Sequence, residues 1–183
     1  MNRQNVIGAA LLAGALYAAS TPAFAIDGFA AEGARSTDDD VNRAGLALSW
    51  DWGKPLLRIS SDWHLGGFWE ASLSQWHKSD VGPGQNDNIT DVGFTPVFRI
   101  QPNSLVGPYL EAGIGLHLQS HTSIGSKNMS TAFQFGDHIG FGYRFGAKSA
   151  FDLNYRFQHH SNASIKRPNP GINFHEVRLL YHF

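Results

Sequence analysis

Near its C-terminal end the chain reads "LNYRFQHHSNASIKRPNPGINFHEV", from Leu153 to Val177, and His159, His160 and Ser161 are consecutive within it. An imidazole beside a hydroxyl is the minimum a serine nucleophile needs, because the ring can take the proton that the attacking oxygen sheds. In a strand, successive side chains point to opposite faces. Read that way, Phe151, Leu153, Tyr155, Phe157, His159 and Ser161 share one face, and Asp152, Asn154, Arg156, Gln158, His160 and Asn162 share the other. His159 is therefore the histidine that can serve Ser161, and the pair looks to the apolar side. His160 reads as a hydrogen-bonded residue of the polar side. A nucleophile on an apolar surface suits a substrate that is itself a membrane lipid, since no pocket then has to extract an acyl chain from the bilayer.

The elements that must hold this pair repeat one pattern. "NRAGLALSWDW" sets Leu46, Leu48, Trp50 and Trp52 against Arg43, Ser49 and Asp51, and "SDWHLGGFWEASLSQW" sets Trp63, Leu65, Trp69, Ala71 and Leu73 against Asp62, His64, Glu70 and Ser72. The same period of two runs through "ITDVGFTPVFRI", "YLEAGIGLHLQ" and "AFQFGDHIGFGYRF", where Asp137 is the exception on an apolar face. With "DGFAAEGARS", "SAFDLNYRFQHHSN" and "NFHEVRLLYHF" the count of strands reaches eight, which suits a small closed barrel. Compact connections ("GKP", "PNSLVG", "GAKS") alternate with long, turn-rich ones ("HKSDVGPGQNDN", "SHTSIGSKNMS", "ASIKRPNPGI"). That parity places both chain ends in the periplasm and the turn after Ser161 outside.

Two architectures fit such strands. In a soluble sandwich the apolar faces pack on each other; in a membrane barrel they face lipid and the polar faces fill the interior. Arg43, Asp62, Glu70, Glu111, Arg144, Asp152, Arg156, Glu176 and Arg178 all fall on the non-apolar faces, where they can pair inside a narrow lumen. Phe183, preceded at alternate positions by Tyr181, Leu179 and Val177, resembles the assembly signal of bacterial outer-membrane barrels. The expectation is an all-β fold, an eight-stranded antiparallel transmembrane β-barrel of the outer-membrane type, located in the bacterial outer membrane with its site at the outer leaflet. Residues 1–25, with an early arginine, an apolar centre and Ala23-Phe24-Ala25, read as a secretory signal peptide, so the barrel occupies residues 26–183.

Composition narrows the function classes. There are no cysteines, hence neither a disulfide framework nor a thiolate metal site. A net charge of −1 with no basic stripe argues against nucleic acid as a partner. His175 and His182 join His159 and His160 as histidines near one another in sequence, but neighbours face opposite ways and no compact ligand set follows, so neither a metal nor another cofactor is expected. Asp38-Asp39-Asp40 reads as a solvated outer loop, with the binding of divalent ions as its alternative.

"HHSNASIKRPNPGINF" resembles the His-x-Ser-Asn-Ala…Pro-Asn…Gly segment of the PagL family of lipid A 3-O-deacylases, and "LSWDW" and "PYLEAGIG" are similar to the same family at matching places. The resemblance implies cofactor-free hydrolysis of the ester at the 3 position of lipid A in lipopolysaccharide, releasing a 3-hydroxy fatty acid. It makes His159 the general base and Ser161 the nucleophile. The family places a glutamate twelve residues after the serine, a position held here by Asn173, which falls on the outward face. Asn173 is preferred as the residue that orients His159; Glu176, the nearest carboxylate, has the parity of a lumen residue and would need a register slip. Asn162 and Asn169 match family asparagines and are candidates for oxyanion or substrate contact, with turn chemistry as the equal alternative. Ser164 stands where many members have glycine. Lys166 and Arg167 can engage lipid A phosphates or simply be solvated. A homodimer stays open, and the competing function is a non-catalytic small barrel, an adhesin or structural protein; a narrow pore is disfavoured by the crowded charges inside.

Overall fold

The computed structural model describes residues 25–183. All but the last residue of the leader read from residues 1–25 lies outside the described residues. Eight long strands follow in order: β1 (Gly28–Ser36), β2 (Val41–Asp51), β3 (Trp63–Lys78), β4 (Asn88–Pro102), β5 (Gly107–Gln119), β6 (Phe133–Phe145), β7 (Phe151–Ser161) and β8 (Ile172–His182). Each pairs antiparallel with its sequence neighbours, and β1 pairs with β8 from Gly28↔His182 to Ser36↔Phe174, so the sheet closes on itself without an edge. Closure gives each long strand a paired neighbour on both sides, which is what a strand structure in lipid requires.

The period-two pattern becomes a division between lipid and lumen. Leu110 is 62% exposed, Ile114 64% and Ile139 67%, and they belong to an apolar belt that continues around the barrel through Leu46, Leu73, Phe94, Phe141 and Val177. A contiguous apolar surface of that extent marks contact with a membrane rather than water. The opposite faces converge on buried charges. Arg99 pairs with Glu111 and Asp152, both at 2.7 Å; Arg156 bridges Glu111 and Glu70; Arg178 reaches Glu70 at 2.5 Å and Glu32 at 3.2 Å; Arg43 meets Glu176. Room for the bulky polar groups comes from lumen glycines: a Cβ on Gly93 or Gly136 would lie 2.4 Å from the His117 ring. Toward the end remote from the termini the lumen turns apolar, with Val41, Trp76, Ile89, Ile172 and Phe174 buried together with Ile124 and Met129. The last two come from the β5–β6 connection, which carries the small hairpin Ser123–Ile124/Lys127–Asn128 and folds over the opening.

Two local expectations are corrected. Asp62 is exposed, one residue before β3 begins, and is not a lumen residue. The turn read as "GKP" is part of a longer connection, residues 52–62, in which Leu57–Arg58 folds back onto β3. The physical reason is backbone pairing. Trp52 N–H still donates to the Gly67 carbonyl at 3.1 Å while its ring packs edge-on against Trp69 and Phe98. The returning segment then bonds β3 itself, Leu56 N–H to the Leu65 carbonyl at 2.8 Å and Ile59 N–H to the Trp63 carbonyl at 3.0 Å, which leaves Asp62 in the turn. The first described residues and the C-terminal residue meet at this end of the barrel, where Phe183 N–H donates to the Asp27 carbonyl at 2.9 Å.

Candidate active site

At the opposite end, β7 finishes at Ser161 and β8 begins at Ile172, and their register puts His159 directly across from Asn173. His159 Nδ1 lies 2.6 Å from Asn173 Oδ1. An amide oxygen only accepts, so Nδ1 carries the proton and Nε2 presents a lone pair, the tautomer that a general base needs. Ser161 lies two residues further along the same outward face, half-buried, and its hydroxyl makes no hydrogen bond among the described residues. Resting serine–histidine pairs are often long and tighten when substrate arrives.

Glycine is required beside the ring. Gly171 has φ +65°, and a Cβ there would lie 2.5 Å from His159 Cε1, so only a glycine lets the chain enter β8 this close to the imidazole. The Gly171 carbonyl accepts from Lys127 Nζ at 2.8 Å, and Lys127 pairs with Asp39 at 2.7 Å. Three connections are thereby tied together above the site, those between β1 and β2, β5 and β6, and β7 and β8. Ser130 Oγ donating to the Pro168 carbonyl at 2.7 Å adds a second tie. Asp39, read as a solvated loop residue, is the anchor of this clasp; its partner lies 88 positions away in sequence, with no local signal to announce the pairing.

The turn after Ser161 separates the two asparagine candidates. Asn162 is fully buried and donates through Nδ2 to the Met129 carbonyl at 2.8 Å and the Lys166 carbonyl at 2.9 Å, so its amide is engaged in holding the loop. Asn169 Oδ1 accepts the Asn162 backbone N–H at 2.9 Å, which leaves the Asn169 amide nitrogen available. Ala163 and Ser164 both take left-handed conformations, φ +52° and +63°, and their N–H groups make no hydrogen bond among the described residues. Such a turn offers free backbone donors to an anion. Lys166 and Arg167 are exposed on the same loop.

Glu176 lies in the lumen against Arg43 and Arg178, facing away from His159. Behind the site, inside the barrel, Asp91, His117 and His160 bring ligand-capable atoms within 4.8 Å of one another. His117 Nδ1 bonds Asp91 at 2.8 Å, and Arg43 donates to His160 Nε2 at 3.1 Å. A neutral His160 accepting there carries its proton on Nδ1, which withdraws the atom that would have to bind a cation.

A closed eight-stranded barrel with an apolar outer belt and a charged lumen defines an outer-membrane β-barrel, here with a polar constellation at one rim as the candidate site. The solved structure of the outer membrane enzyme PagL superposes with a TM-score of 0.75 at 29% identity, over 85% of this chain and 99% of that one. The model of the lipid A 3-O-deacylase (PagL) family matches residues 42–182. Lipid A deacylase PagL of Pseudomonas aeruginosa is 35% identical over 72% of this chain and 73% of its own length, and that of Bordetella bronchiseptica is 30% identical over 77% and 84%. The chain belongs to the lipid A 3-O-deacylase (PagL) family, and it is an outer-membrane barrel of that kind.

Proposed function

We propose that the protein hydrolyses the 3-linked ester of lipid A by a serine mechanism, with Ser161 as nucleophile, His159 as general base and Asn173 as the residue that orients the imidazole. The Asn173–His159 hydrogen bond carries the reading, because it fixes the basic nitrogen on the side of the ring left free for Ser161. Ser161 Oγ attacks the ester carbonyl while His159 Nε2 takes its proton. The oxyanion is held by the Asn169 amide and the N–H groups of Ala163 and Ser164. The carbonyl–oxygen bond then breaks, the 3-alkoxide of the sugar leaves with the proton from His159, and an acyl-serine remains. His159 next takes a proton from water, whose hydroxide attacks the acyl-serine; the acyl–Oγ bond breaks, Ser161 Oγ recovers the proton from His159, and the 3-hydroxy fatty acid is freed.

The position of the site supports the substrate. With the termini in the periplasm, Ser161 and His159 lie at the outer leaflet, level with the acyl esters of lipopolysaccharide, and the apolar belt below them receives the acyl chains. Lys166 and Arg167 on the adjoining loop are placed for the lipid A phosphates.

Mass spectrometry of lipid A from outer membranes carrying the wild type or Ser161→Ala at equal abundance tests this. Loss of one 3-hydroxyacyl chain with the wild type alone is the expected result. Equal deacylation by both proteins would remove Ser161 from its role.

A further inference from the structure

The outward face of β6 is apolar at Phe133, Phe135, Ile139, Phe141, Tyr143 and Phe145, and Asp137 interrupts it. On one side its neighbour is Ile114 of β5, whose outward row of Leu110, Ala112, Ile114, Leu116 and Leu118 offers no polar partner. Among the described residues the Asp137 carboxylate makes neither a hydrogen bond nor an ion pair. An ionisable group on a lipid-facing strand is expensive and is retained where it serves a function.

On its other side Asp137 stands directly across from His159 in the β6–β7 register. Directly opposed residues of antiparallel strands have Cβ atoms roughly 4.5–5.5 Å apart, within reach of each other's charge. The outward row across four strands therefore reads Ile114, Asp137, His159, Asn173. His159 is flanked by an amide that holds its Nδ1 and by a carboxylate that has nothing else to balance.

We propose that Asp137 supplies the negative charge that Asn173 cannot: Asn173 fixes the ring and its tautomer, and Asp137, from the opposite flank, stabilises the imidazolium formed when His159 takes the Ser161 proton. The inference rests on the assignment of His159 and Ser161 above. The other polar groups beside the ring, by register or contact, are Asn173 across on β8, Ser161 on the same face of β7, and Lys127 at the Gly171 carbonyl, with His175 one outward position further along β8. Tyr155 and His175 are bonded to each other, with Tyr155 Oη 2.6 Å from His175 Nδ1. Asp137 is the acid of the set. It touches neither substrate nor the serine and acts through His159, as a positioning residue whose contribution is electrostatic.

The test is a transplant of the charge, read as kcat and KM on lipid A in detergent micelles with folding followed by heat-modifiable migration. Asp137→Asn should lower kcat at least about tenfold with little change in KM, the pattern of an interaction made in the transition state. Asn173→Asp in that background should restore most of the loss. Full activity of folded Asp137→Asn would overturn the inference, as would failure of the folded double variant to recover. If Asp137→Asn does not fold, Asp137→Ser takes its place with the same expected loss and the same recovery by Asn173→Asp, and full activity of that folded variant would equally overturn the inference. Activity surviving in Ser161→Ala or His159→Ala would instead bring down the assignment beneath it, and the two failures are distinct.

Discussion

Arg156 and His159 are three residues apart on β7, and opposite parity places them in different electrostatic settings. Inside, Arg156 is buried between Glu70 and Glu111, and each of those carboxylates has a further arginine, Arg178 or Arg99. Outside, among the described residues, His159 has one hydrogen-bond partner, Asn173, and its other ring nitrogen is left open. Charges removed from water hold a structure together only when every one is matched. A group that must exchange a proton has to be left incompletely matched. On the proposed assignment of His159 and Ser161, the lumen and the rim divide stability and chemistry between two faces of the same strand, and variants on the two faces should fail in different ways.

The largest effect belongs to the rim. His159→Ala should lower lipid A deacylation by at least about 10³-fold while the folded barrel resists denaturant as the wild type does. Urea titration beside a mass-spectrometric rate assay checks both halves. A large shift in the unfolding midpoint would mean that the rim carries stability after all. From the lumen side, Arg156→Met removes the group shared by Glu70 and Glu111, and breaking a buried network of this kind costs roughly 3–5 kcal/mol. The unfolding midpoint should fall accordingly, with the rate per folded barrel within about twofold of the wild type. A selective collapse of kcat would show instead that the lumen charges reach the site.

How much of this was legible beforehand follows from where each interaction gets its partner. Alternation along one strand was enough to put His159 and Ser161 on one face, His160 and Glu176 on the other, and Asn173 outward, because parity is local. Closure into eight strands was legible for the same reason, since each segment repeats the pattern. Parity could not say which residue of one strand lies across from which residue of another. Asp137 was visible only as an exception on an apolar face, and its position beside His159 emerges from pairing across β6 and β7. Strand ends were less legible still: Asp62 fell outside β3 because the segment before it folds back and pairs with β3, leaving Asp62 in the turn, a pairing that alternation along one strand does not announce. Asn162 and Asn169 occupy equivalent turn positions in composition, yet the carbonyls of Met129 and Lys166 engage one amide and leave the other open.

Between the two extremes lies Asn173. Its hydrogen bond to His159 is a single neutral contact, and such contacts contribute on the order of 1 kcal/mol net, about a fivefold to tenfold effect on rate. Asn173→Ala should therefore reduce kcat by about tenfold, far less than His159→Ala, with KM nearly unchanged. An effect as large as that of His159→Ala would mean that the amide does more than orient the ring.

The smallest effect should come from the clasp above the site. Lys127 joins Asp39 to the Gly171 carbonyl, and its side chain is about one-fifth exposed, as is that of Asp39. An ion pair in that setting is worth at most about 1 kcal/mol after screening. Its influence on catalysis is indirect, through the path Gly171 takes past the His159 ring. Lys127→Met should accordingly lower kcat/KM only about threefold. Asp39→Asn should do the same, and the double variant should do no more than either alone, since all three break one linkage. Steady-state rates of the three variants form the cycle that decides it. Additive losses would show Lys127 and Asp39 acting independently, with Lys127 reaching substrate directly rather than through Gly171.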